Sequence, residues 1–196
     1  MRPTQLFRSV STPSLFTSAK CRVAVPVDNH LLRCVLEQAS LDASVRAIRY
    51  RKGPDIQCPP VSATGVILDR VDGTFLLKVY RRRPDRSEED QARVAYALDC
   101  IGLRLLECDE PDIRREPVFS NVRAVWSHRN HHVSLIDRLR IAMALSEHGP
   151  QSIAELERRA DLSYGLQAVC ALACEDLIKL DISERPLGPR TTVLGP

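Results

Sequence analysis

The tightest constraint on this chain is the stretch VDGTFLLKVYRRRP at positions 71–84. Asp72-Gly73 separates two apolar runs, Val66 to Leu68 and Phe75 to Tyr80. Glycine accepts a positive φ without steric cost, so Asp-Gly between strand-like runs specifies a tight β-hairpin. Such a hairpin is stable only when further strands or a helix cover its apolar face. The flanking sequence supplies both. Apolar residues at 31, 32, 35, 36 and 39 predict a helix over 31–41, and Val45 to Tyr50 alternates as a strand. Gly53 to Pro60 reads as a Pro-containing loop. Ser87 is placed as an N-cap, with Glu88, Glu89 and Asp90 in the first helical turn. Val94, Ala97, Leu98 and Ile101 line one face of that helix, and Gly102 stops it. Leu103 to Cys108 is a further strand, and Pro111 opens a short helix from Glu110. Helix, strand, hairpin, helix, strand predicts an α/β core with a mixed central sheet flanked by helices.

From Ser134 onward the periodicity is helical. Leu135, Leu139, Ala142, Met143 and Leu145 mark a first helix, closed by Gly149-Pro150. Ser152 and Glu155 form a capping box before a second helix that buries Ile153, Leu156 and Ala160. Leu166 to Lys179 is a third helix with Val169, Ala173 and Leu177 inward, and two short extended pieces flank Pro186-Leu187-Gly188-Pro189. Three helices followed by a β-hairpin is a winged-helix-like pattern, with a small packing or dimerising bundle as the alternative. The predicted division is a flexible basic tail over 1–22, an α/β domain over 23–126, a linker over 127–133 and a small C-terminal domain over 134–196.

Composition narrows the function classes. The chain is 44% hydrophobic and 27% charged, enough for a buried core, and no apolar run is long enough to span a membrane. A net charge of +3 does not imply general affinity for nucleic acid, so any such surface must be a local basic cluster. Seven cysteines without a secretory segment point to free thiols in a reducing cytoplasm. Cys170 and Cys174 have the spacing of a metal half-site, but no second pair completes it, so both read as buried thiols. His128, His131 and His132 read as part of a solvated link. The first twenty residues are Ser/Thr-rich and basic; a disordered tail fits them, and Pro3 and Pro13 interrupt the amphipathic helix of a transit peptide.

The order of these pieces resembles the TnsA-like endonuclease family, the DNA-cutting partner subunits of heteromeric transposases. The resemblance is carried by VDGTFLLKV, by SEEDQARVAYALDCIGLRLLECDEPDIRREPVFSNVRAVWSHR and by ACEDLIKLDISERPLGPRTTV, and DIRREPVFSNVRAVWSHR is its most specific run. It covers residues 20 to 195 and implies a restriction-endonuclease-like fold. It also implies a metal site made of an acid on the first helix, an Asp opening the hairpin and Glu or Gln-x-Lys on the second strand. Carboxylates there hold Mg²⁺ and the lysine helps activate water. This chain departs at each position. The first falls on Asp28, or on Leu32 one turn later; the second falls on Gly65; the third falls on Lys78 and Tyr80. The expectation is a nuclease-type strand without nuclease chemistry and without a bound metal. The alternative is an active endonuclease that uses Asp28 with Asp69 or Asp72 and Mg²⁺.

Arg81, Arg82, Arg83 and Arg86 follow the hairpin strand, where the family's substrate groove would lie. Four arginines there offer salt-sensitive contacts to double-stranded DNA, with a solvated loop that keeps the sheet edge soluble as the alternative. Arg114, Arg115, Arg123 and Arg129 are interleaved with Glu110, Asp112 and Glu116, which favours local ion pairs. The third C-terminal helix presents Gln167, Glu175, Asp176 and Lys179, and two acids there favour protein docking over base reading. The expected function is a non-cutting DNA- and protein-binding subunit of a mobile element, acting beside a transposase subunit. A winged-helix regulator and a pure interaction module are the alternatives.

Overall fold

The computed structural model of the protein describes residues 14–57 and 60–195. The first thirteen residues of the expected tail, and Cys58, lie outside the described residues. The segment beyond Pro13 is not a tail. Strand β1 (Ser14–Phe16) pairs antiparallel with β2 (Val25–Val27), and Phe16 is buried against Trp126 with ring centroids 5.4 Å apart. Lys20 is also buried, and its Nζ donates to the carbonyl of Asp42 at 2.6 Å. An aromatic anchor and a buried ammonium therefore fix a segment that composition alone assigns to disorder.

Helix α1 (His30–Leu41) is capped by Asn29, whose Oδ1 accepts from the Leu32 amide at 2.8 Å. Strand β3 (Val45–Arg51) comes next. The expected Pro-containing loop is a small antiparallel hairpin, β4 (Asp55–Gln57) with β5 (Pro60–Ser62). Strands β6 (Gly65–Arg70) and β7 (Gly73–Tyr80) form the predicted hairpin, with Arg70 opposite Gly73 and Val66 opposite Leu77. Gly73 has a positive φ of +144°, but it opens β7, so the two loop residues are Val71 and Asp72 and not the expected Asp72-Gly73. Helix α2 (Glu88–Asp99) starts at Ser87, whose hydroxyl accepts from the Asp90 amide, and Gly102 ends the turn beyond it at φ +71°. Strand β8 (Arg104–Asp109) then runs parallel to β7. The sheet order is β3-β6-β7-β8, two antiparallel pairings and one parallel. The parallel return is possible because α2 carries the chain back across the sheet.

The two faces of the sheet bury different partners. Val66, Leu68 and Leu77 pack with Val35 and Leu36 of α1. Ile67 and Leu76 pack with Val94 and Leu98 of α2. After the short helix α3 (Glu110–Ile113) comes α4 (Val118–Ser127), where the sequence pattern predicts only an arginine-rich connection. Its Val122 and Trp126 join the core under α1, and Trp126 Nε1 donates to the Glu37 carbonyl at 3.1 Å. Val125, on the next face, belongs to the C-terminal core, and Val133 is buried there too. The stretch 127–133 is thus a tight corner pinned by apolar residues.

The C-terminal unit runs α5 (Leu135–His148), β9 (Gln151–Ser152), α6 (Ile153–Ala160), α7 (Gly165–Cys174), β10 (Lys179–Leu180) and β11 (Thr192–Leu194). Its sheet has the order β10-β11-β9, all antiparallel. The capping box of Ser152 and Glu155 forms, and Ile153, Leu156 and Ala160 are buried as expected. The apolar residues that mark helix α5 divide between core and surface. Ile141, Ala144 and Leu145 are its buried residues, while Leu135, Leu139 and Met143 are exposed. Helix α7 ends at Cys174, so Leu177 lies beyond it and is exposed.

Candidate functional site

The expected site residues fall at one end of the large sheet. In register, Arg51 stands opposite Gly65 across β3 and β6, and Val66 opposite Leu77 across β6 and β7. The ends of β3 and β7 and the start of β6 therefore meet. Beside them a cleft of about 290 Å³ is lined by Asp28, Asn29, Leu32, Tyr50, Gly65 and Lys78 among others. The structure thus brings Asp28, Gly65 and Lys78 together. Tyr80 is two residues further along β7, outside the cleft.

Lys78 dominates the cleft. Its Nζ donates to the Thr64 carbonyl at 3.0 Å, and burial lowers its pKa, an effect partly opposed by the charge of Asp55. A Cβ placed on Gly65 would stand 3.7 Å from that Nζ. The amine therefore lies beside Gly65, on the face of β6 and β7 that also carries Leu76. Asp28 accepts from Asn29 Nδ2 at 2.8 Å and is the one carboxylate of the described residues that lines the cleft. On the α1 side of β7 the side chains are Leu77 and Val79, both packed in the apolar core.

Asp69 and Asp72 lie at the opposite, turn end of the hairpin. Asp69 faces Thr74 across the strands, four residues from Gly65 along β6, or about 13 Å at a strand's rise. Asp69 is also engaged: Arg49 donates to its two oxygens at 2.7 and 2.6 Å, and those bonds hold its carboxyl below the usual range. Asp72 pairs with Arg70 at 3.2 Å. The fold does not assemble Asp28 with either residue. Among the described residues, no group of three His, Cys, Asp or Glu side chains comes together as metal ligands would.

The four arginines after β7 divide into two pairs. Arg83 forms ion pairs with Asp109 and Asp112. Arg86 Nη1 donates to Glu107 Oε1 at 2.7 Å, and its Nη2 reaches the Tyr80 hydroxyl at 3.4 Å. Both are paired with acids that are distant in sequence and adjacent in space, Arg83 on the exposed surface and Arg86 in a shielded position. Tyr80 serves this network, and burial raises its pKa before any other cause. Arg81 and Arg82 are exposed and form no ion pair among the described residues.

Two cations that sequence pattern did not single out complete the edge. Arg51 and Lys52 end β3 and are exposed at the same end of the sheet. The connection beyond them is fixed by Thr64, whose hydroxyl accepts from the Gly53 amide at 3.1 Å and donates to the Gly53 carbonyl at 3.0 Å. Arg51, Lys52, Arg81 and Arg82 thus lie at the same end of the sheet as the cleft, whose lining includes Lys78 and the half-exposed Tyr50. Cations spaced along an edge can hold successive phosphates, and a tyrosine ring at the mouth can stack on a base.

In the C-terminal unit Arg158, Arg159, Arg185 and Arg190 are exposed, but the third helix and the segment before β11 are packed inward. Helix α7 is buried from Ala168 through Ala173 and packs against α4. Of its expected polar face, Glu175 is bound by Arg138 at 2.5 and 2.7 Å, and Asp176 pairs with Lys20 and Lys179. The connection between β10 and β11 is clamped onto α4 by buried Asn121, which donates to the carbonyls of Ile182 and Arg185 and accepts from the Leu187 amide. Burial pushes the Cys170 and Cys174 thiols up to about 12, as expected of packed cysteines. No helix of the described residues is long and apolar enough to cross a membrane. Neither a model of a known protein family nor a curated protein matches the chain.

Proposed function

We propose that this chain is a TnsA-like protein that has kept a nuclease scaffold and lost its chemistry. It serves as a DNA- and protein-binding subunit of a mobile element, beside a transposase subunit. The observation that carries the reading is Lys78 Nζ beside Gly65, in a cleft lined by one carboxylate of the described residues. A divalent cation needs several oxygen ligands with negative charge among them, and an ammonium at the cleft opposes it. The element order supports the scaffold: α1, then β3, β6, β7, α2 and β8, in a mixed sheet with sequential neighbours and helices on both faces. That is the order a restriction-endonuclease-like core requires.

The C-terminal unit has the helix, strand, helix, helix, strand, strand order of a winged helix. In a DNA-reading winged helix the third helix enters the major groove. Here that helix and the wing are packed on α4, which favours a role in holding the molecule together over base reading. DNA is then bound sequence-independently along the Arg51, Lys52, Arg81 and Arg82 edge. The setting is a reducing cytoplasm in which the six described cysteines remain thiols.

The test has two arms. Duplex DNA titrated at low salt is bound, with anisotropy rising, and supercoiled plasmid with Mg²⁺ or Mn²⁺ remains intact. Nicking that disappears in Asp28→Ala would restore the active-nuclease reading. Absence of binding at low salt would leave a protein-interaction module.

A further inference from the structure

Helix α5 carries an apolar surface that the fold leaves uncovered. Leu135 is 71% exposed, Ile136 63%, Leu139 56% and Met143 60%. Soluble monomers rarely gather large apolar side chains on one helix in this way. At about 100° per residue, Ile136, Leu139, Met143 and Ser146 fall within an arc of about 80°. Their spacing of three, four and three residues is that of a coiled-coil seam, and the small Ser146 allows a close helix–helix approach. Beside the seam lies an apolar groove of about 590 Å³, lined by Leu139, Ala142, Leu172, Leu177 and Ile178 among others.

The flanking charges select the occupant. Arg140 and Glu147 are seven residues apart and sit on the same flank of the seam. In an antiparallel helix pair, equivalent flanks face each other. A twofold axis between Met143 and Ala144 then sets Arg140 of each copy against Glu147 of the other. Both side chains have solvent-exposed intramolecular partners. Arg140 Nη1 donates to the Asp161 carbonyl at 3.3 Å and lies 3.8 Å from its 94% exposed carboxylate, and Glu147 lies 3.9 Å from His148. A surface that satisfies its own charges under twofold rotation is what an isologous dimer requires.

We infer that the protein self-associates through α5, as an antiparallel twofold dimer with Met143 near the axis. Self-association of this kind needs no DNA. A helix of 14 residues is about 21 Å long and offers less than the roughly 800 Å² per partner of a tight interface, so the dimer dissociates in the micromolar range.

Sedimentation velocity over about 5–200 µM measures the association. The wild type shifts from monomer to dimer. Leu139→Glu combined with Met143→Glu remains monomeric with an unchanged melting curve, because both side chains are exposed in the monomer. Arg140→Glu alone and Glu147→Arg alone each weaken the dimer about tenfold, and the double reversal restores it to within about twofold. A wild type that is monomeric throughout overturns the proposal. So does a dimer that survives Leu139→Glu with Met143→Glu, or a double reversal that fails to restore association.

Discussion

Arg86 Nη1 donates to Glu107 Oε1 at 2.7 Å, with only 14% and 21% of the two side chains exposed. The pair ties the approach to α2 onto β8, and it removes Arg86 from the cations open to a ligand. Arg86→Ala is expected to destabilise the fold by about 1.5–3 kcal/mol, the range for a shielded hydrogen bond between charged groups. It should leave the salt dependence of DNA binding unchanged. Arg81→Ala with Arg82→Ala should do the reverse: an unchanged melting temperature and a log–log salt slope shallower by about two. Chemical denaturation and anisotropy over a salt series separate the two. If Arg86→Ala flattens the slope as much as the Arg81 and Arg82 pair, the division of the arginines is wrong.

Lys78 is predicted to trade stability for charge. Burial holds its pKa below the ordinary lysine value, so the folded state carries a cost for keeping it protonated at neutral pH. Lys78→Met should therefore be at least as stable as the wild type at pH 7 while binding duplex DNA more weakly. The sign with pH comes from linkage. Between the lowered folded pKa and the unfolded value near 10.4, the unfolded chain holds more protons. Wild-type stability rises relative to Lys78→Met as pH climbs through that window. Urea titrations of both proteins at neutral and alkaline pH measure it, and a difference that does not change with pH would refute the claim.

Asn121 is 3% exposed and satisfies three backbone groups of the segment before β11, at 2.8, 2.7 and 2.7 Å. Asn121→Ala strands two carbonyls and an amide beside α4. A loss of about 2–4 kcal/mol is expected. Asn121→Asp should not rescue it, because a carboxylate cannot donate to the two carbonyls. Because α4 serves both cores, the melt should stay a single transition at a lower temperature. Two separate transitions would show that the units unfold independently.

Asp69 and Glu175 contribute to the acid limit, with Asp112 and Glu155. Hydrogen bonds from Arg49 and Arg138 hold the Asp69 and Glu175 carboxyls below their usual range. Each contribution is present above the unfolded carboxylate pKa, near 4, and is lost as pH falls through the lowered folded value. Asp69→Asn should flatten the acid limb of a stability–pH curve and leave the alkaline limb alone. An identical acid limb in Asp69→Asn would show that the pair contributes nothing measurable.

Local chemistry was the legible part of this fold. Ser87, Gly102 and the Ser152–Glu155 box act on their own neighbours, and each stands where its sequence places it. Helix α4 also carried a signal, since Val118, Val122, Val125 and Trp126 recur at helical spacing. The interleaved arginines and glutamates masked it with the pattern of a polar connection. Helix α5 is apolar on two faces, and periodicity cannot say which face meets the core. Of the four positions singled out, Asp28, Gly65 and Lys78 line one cleft and Tyr80 lies outside it. Arg51 and Lys52 were not singled out, because their place at that end of the sheet depends on the β3–β6 register. The acids that pair with Arg83 and Arg86 were equally hidden, being brought there by the parallel return of β8.

The burial of α7 against α4 limits how this gene can be rearranged. A chain severed after residue 133 would leave Val125 bare on one fragment and the α7 face bare on the other. Recombination that grafts a foreign C-terminal unit onto the first half would have to import a matching seam with it. Substitution along the exposed edge or the α5 surface leaves that seam intact.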